Sequence, residues 1–75
     1  MARVVVGIQP TREAIRVHGV AVERLLFERS ENPRLAALAR LARDTGIAVD
    51  VGTRLQLDQV ARGVQHQGVI SFVPE

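Results

Sequence analysis

Apolar residues fall along this chain in seven short groups, and their spacing switches between the strand and the helix period. Arg3 to Ile8 is a β-branched run with Gly7 inside it, which predicts a strand ending at a bend. Pro10 fits the first turn of a helix, where its missing N–H is harmless, and Glu13-Ala14-Ile15 continue toward a stop at Gly19. Val22 to Glu28 is apolar at its centre and charged at its edges, as expected of a strand buried largely on both faces. Asn32-Pro33 joins an N-cap to a proline at the first helical position, and Gly46 suits a left-handed C-cap. Between them Leu35, Leu38, Ala39 and Leu41 or Ala42 keep the spacing of one buried face, with Arg40 and Arg43 on the other side.

Ile47 to Val51 predicts a third strand. Thr53 followed by Gln56 has the capping-box pattern, so a third helix should run through Leu57 and Val60 to a stop at Gly63. Gly68 to Val73 closes the chain as a fourth strand, and Pro74 limits its extension. The order βαβαβαβ argues for a single-domain α/β/α sandwich with a four-stranded, mostly parallel or mixed sheet. Loops at one end of such a sheet form the natural binding edge.

Composition narrows the function. Seventy-five residues leave room for one small domain, with an accessible surface of about 4,500 Å² by size scaling. A cofactor pocket and a catalytic constellation do not both fit easily, so catalysis by this chain alone is not expected. The absence of Cys excludes a disulfide scaffold and thiolate chemistry, and favours a reducing, cytoplasmic setting. Apolar runs such as Val4-Val5-Val6 are far below the ~18 residues of a membrane span, and nothing at the N-terminus reads as a signal peptide. Net charge is only +2, but all ten cationic residues are Arg, whose planar forks suit phosphate and stack on bases. Arg enrichment therefore points to nucleic acid as much as to a compositional bias.

The candidate chemistry is sparse. His18 stands beside the stop at Gly19, where an imidazole can bond the last carbonyls of the helix. His66 lies in Gln65-His66-Gln67-Gly68, a polar cluster immediately before an apolar strand, either a binding corner or a turn whose side chains bond local backbone. Two His and scattered carboxylates give no metal-ligand spacing. Ser30 and Ser71 lack a nucleophile elbow, and the glycines form neither a dinucleotide nor a P-loop fingerprint. Phe27 and Phe72, the only aromatics, fall inside apolar strands and read as core, so the stacking platform of many RNA-binding sheets is not expected. RNA contact would then rest on Arg, backbone groups and the Gln-His-Gln turn. Arg12 and Arg54 fall near predicted helix starts, and Arg62 precedes the Gly63 turn.

Taken together, the segments resemble the N-terminal substrate-binding domain of the SpoU-type (TrmH-like) RNA ribose 2′-O-methyltransferases over essentially the whole chain. The resemblance rests on Val5-Val6-Gly7-Ile8-Gln9-Pro10 with Glu13-Ala14-Ile15, Val22-Glu23-Arg24-Leu25-Leu26, and the Leu/Ala helix ending at Thr45-Gly46-Ile47. The Val49 strand and Leu57 helix follow, and His66-Gln67-Gly68-Val69 is the most specific segment. Thr11 departs from the apolar residue usual after the proline. The resemblance implies a fold similar to kink-turn-binding ribosomal proteins, joined to a knotted catalytic domain that binds S-adenosylmethionine, dimerises and methylates a ribose 2′-hydroxyl in ribosomal or transfer RNA. None of that domain's motifs occurs here, so the chain looks like the RNA-recognition half, with no cofactor of its own. Structured RNA, ribosomal above all, and the catalytic domain are the expected partners. Gln65, His66, Gln67 and Gly68 would form the RNA site, with Arg12, Arg54 and Arg62 on phosphates. Two alternatives stay open: a module that docks onto protein through the same turn, and a stand-alone kink-turn-type RNA binder.

Overall fold

The β-branched N-terminal run forms strand β1 (Ala2–Val6) in a computed structural model that describes residues 2–74. Next come helix α1 (Ile8–His18), a 3-10 turn (Gly19–Ala21), strand β2 (Arg24–Glu28), helix α2 (Pro33–Thr45), strand β3 (Ala48–Gly52), helix α3 (Arg54–Ala61) and strand β4 (Val69–Pro74). This is the expected order, and the accessible surface of 4908 Å² is close to that expected of the length.

Local signals account for the helix ends. Asn32 Oδ1 accepts the Arg34 N–H at 2.9 Å with Pro33 behind it, and Gly46 closes α2 at φ 94°. Thr53 Oγ1 accepts from the Gln56 N–H while Gln56 Oε1 accepts from the Thr53 N–H, so the capping box is complete. At the end of α1 the expected His18 cap is absent. The Gly19 N–H instead donates to the Ile15 carbonyl, and the chain leaves α1 through the 3-10 turn. On α1, Glu13 and Arg16 pair at i,i+3. Their mutual hydrogen bond holds the Glu13 carboxyl below the usual carboxylate range and raises Arg16 further.

The sheet runs β1-β4-β2-β3. β4 is antiparallel to β1 and to β2, and only β2 and β3 are parallel, so the sheet is mixed. The last connection explains this. After α3 the segment 62–68 returns to the end of the sheet where β2 finishes, and Val69 pairs with Phe27 there. β4 must then run back between β1 and β2.

Alternation along the strands divides the core in two. Leu25, Phe27, Val69 and Val73 face α1 and α2 together with Ile8, Ala14, Ile15, Leu35, Leu38 and Ala42. Leu26 and Ile70 face α3, whose Leu57 and Ala61 complete a much smaller cluster. Thr11 is fully buried on the first side. Its hydroxyl lies 3.4 Å from Ser71 Oγ, which in turn donates to the Val5 carbonyl at 3.3 Å. The polar residue that departs from the family pattern is therefore partnered by a polar residue inside β4. Leu41 is exposed and Ala42 buried, which resolves the choice between them. Phe27 is core as expected, but Phe72 is only half-buried, because the eight residues of α3 cannot cover its face of the sheet. No helix among the described residues is long and apolar enough to cross a membrane.

Candidate nucleic-acid interface

β1, β2 and β3 all end at one edge of the sheet, where the three helices begin and β4 starts. The Gln65–Gly68 segment sits in this corner, and its geometry separates support from surface. His66 is 7% exposed. The Gly68 N–H donates to its Nδ1 at 2.9 Å, and its Nε2 lies 2.7 Å from Asp58 Oδ1. Because Nδ1 accepts, the neutral ring carries its proton on Nε2 and donates it to Asp58. Both nitrogens are thereby occupied within the chain.

Gln67 and Gly68 are structural as well. The backbone of Gln67 is left-handed at φ 57°, and its Oε1 accepts the first N–H of α1, from Ile8, at 2.8 Å. The glycine that precedes α1 has no side chain to supply that cap. Gly68 has φ 87° and is buried; a Cβ there would lie 2.8 Å from Leu35 Cδ1. Its carbonyl accepts the Glu28 N–H at 2.9 Å. The cluster expected to grip RNA thus binds α1, β2, α3 and β4 to one another, with His66 and Gly68 buried and both ring nitrogens of His66 engaged within the chain. Among the described residues no buried side-chain nitrogen or oxygen lacks a partner.

The exposed groups lie around this frame. Gln65 and Arg54 share a groove with Asp58, Gly63, Val64 and His66. Arg54 also lines the adjoining groove with Glu28, Arg29, Gly52 and Thr53. Arg62 lies beyond Val64, in a third groove with Val4, Val6, Gln59 and Val60. Arg12 is exposed on α1 and lines none of the three. Arg54 and Gln65 are therefore brought together, Arg62 is next door, and Arg12 stands apart. Sequence reasoning missed Arg29, although its position immediately after β2 marked it as a cation at the strand's carboxyl end.

Charge is available here. Of the ten Arg, only Arg16 and Arg24 form ion pairs among the described residues, so Arg29, Arg54 and Arg62 keep their full hydrogen-bonding capacity for a ligand. The described residues contain no group of three or more His, Asp or Glu placed to hold a metal ion.

The fold and the corner define a small mixed α/β domain with exposed, unpaired guanidinium groups at one end of its sheet. A family comparison identifies it. The model of RNA 2′-O ribose methyltransferase substrate binding matches residues 4–75, and the chain belongs to that family of RNA-binding, substrate-recognition domains. No curated protein matches the chain.

Proposed function

We propose that this domain holds structured RNA at the corner formed by Arg29, Arg54 and Gln65, so that a ribose 2′-hydroxyl reaches a separate S-adenosylmethionine-dependent catalytic domain. The observation that carries the reading is the two adjoining grooves that share Arg54, with a second unpaired guanidinium from Arg29. The contribution of the domain is positioning: a bound, oriented ribose reacts as if at high local concentration, and none of the chemistry need occur here. The grooves are open and lined by surface side chains. An adenosine-bearing cofactor needs an enclosed pocket with convergent polar groups, so the cofactor is assigned to the separate domain and no step passes through it here. The proposal extends to ribosomal RNA as substrate and to a dimeric full-length protein, on the strength of the family resemblance. It extends also to the cytoplasm, because a cysteine-free sequence suits a reducing compartment.

Titration of a structured ribosomal RNA fragment at several salt concentrations tests this reading. Each phosphate contact should add roughly −0.7 to −0.9 to the slope of log K against log salt. Arg54→Ala and Arg29→Ala should each flatten the slope by about one such increment, while Arg40→Ala, on the far side of α2, should leave it unchanged. Failure of the wild-type chain to bind at low salt would refute the proposal.

A further inference from the structure

The side of the sheet covered by α3 is open at the end farthest from the corner. Strand register places Val4, Phe72, Arg24 and Ala48 in one row across all four strands. Leu26 and Ile70, one step along, are buried in the cluster under α3, whereas Phe72 is only packed against that cluster's margin and stays half-buried. Val4 is 41% exposed and Phe72 half-buried. The Arg24 guanidinium lies 4.1 Å from the centroid of the Phe72 ring. Asp50 accepts from Arg24 Nη1 at 3.3 Å. The Arg24 side chain remains 43% exposed although it lies over the ring, so part of it is still reachable from solvent.

We propose that Arg24 and Phe72 form a stacking platform for one unpaired nucleobase of the bound RNA, with Arg62 beside it for the adjoining phosphate. The inference rests on the RNA-binding reading above and adds a second contact, on a different face. A planar guanidinium held over an aromatic ring can take a second flat π-system alongside, which an ammonium cannot do. Nucleobases stack on such surfaces regardless of sequence, and a duplex, whose bases already stack on each other, gains nothing from them.

Charge and backbone support the same occupant. Asp50, the acid beside the platform, is satisfied by Arg24, whereas Arg62 has no ionic partner among the described residues. Arg62 lines a groove with Val4, the register partner of Phe72, and adjacent strands bring such partners to about 4.5–5.5 Å. Arg62 also occupies the left-handed C-cap of α3 at φ 53°, where glycine is favoured. A long cation there carries a conformational cost that phosphate binding would offset.

The test uses the 75-residue chain and a hairpin RNA with an oligoadenylate loop in which one adenosine is 2-aminopurine, with a blunt duplex of the same length as control. Binding of the hairpin should quench the 2-aminopurine fluorescence and shift the Phe72 ring resonances. Phe72→Leu and Arg24→Lys should each weaken hairpin binding by about fivefold or more, with the salt slope of Arg24→Lys unchanged and duplex binding unaffected. Arg62→Ala should flatten the slope. If a variant loses its fold by circular dichroism, the Phe72 shifts of the wild-type chain decide the matter. Wild-type binding without those shifts, or equal affinity of wild type and folded variants for the hairpin, overturns the platform and leaves RNA binding at the corner standing. Failure of the wild type to bind either RNA overturns both.

Discussion

His66 is held in a single tautomer by two bonds that point in opposite senses, one accepted from the backbone of Gly68 and one donated to Asp58. The two contacts can be separated by substitution. Asn at this position places an oxygen near Nδ1 and keeps the acceptor for Gly68, whereas Gln places an amide near Nε2 and keeps the donor for Asp58. Gln and Ala both strand the buried Gly68 N–H, at a cost of about 2 kcal/mol, and Ala loses the Asp58 contact as well. Urea denaturation should therefore rank stability as wild type, then Asn, then Gln, then Ala. At fixed temperature well below each midpoint the folded Asn variant should bind RNA like wild type, because the imidazole supports the corner without touching ligand. Equal loss of affinity in the Asn and Ala variants would show that the ring does more than hold Gln65 and Gly68 in place. The sequence displays the donors and acceptors of Gln65-His66-Gln67 but not their consumption. Asp58 lies eight residues away in sequence and the α1 N–H fifty-nine, so a saturated lock and an open grip look alike until the chain is folded.

At the scale of single elements, the parts set by neighbouring residues were the legible ones. Asn32-Pro33 and Gly46 bounded α2, and Thr53 with Gln56 started α3, because caps act within one turn. Asn32→Ala should accordingly remove about 1 kcal/mol, a fall of about 4–8 °C in Tm for a domain of this size. Calorimetry checks it, and a change within error would mean that packing of Leu35 and Leu38 alone sets that helix end. Pairing was less legible. The apolar run of β4 indicated a strand, but its antiparallel course between β1 and β2 follows from where the returning segment 62–68 delivers it. Phe72 packs against the smaller core cluster but is less buried than its place in an apolar strand suggests, because its cover depends on how far a helix elsewhere in the chain extends.

Across the whole molecule the two layers are unequal, and the proposed RNA surfaces lie on the thin one. α1 and α2 bury twelve residues against their face of the sheet, whereas the cluster under α3 contains four. A domain of this length has about 4–11 kcal/mol of stability in all, and Leu→Ala in a core costs about 2–5 kcal/mol. Leu38 and Leu57 are equally buried, at 1% and 0% exposure, but they belong to different layers. Leu38→Ala weakens the cluster that unites two helices with the sheet, so it should lower the urea midpoint with the slope m intact. Leu57→Ala removes the largest side chain by which α3 is anchored. α3 should then detach while the rest of the sheet and the two larger helices persist, giving a smaller m and fast hydrogen exchange confined to residues 54–68. Asp58 and Arg54 lie on α3, so detachment also releases His66 from its acceptor and separates Arg54 from Arg29. RNA affinity should fall far more in Leu57→Ala than in Leu38→Ala at equal fraction folded. Uniform exchange across the sheet in Leu57→Ala would instead show that the two layers melt as one.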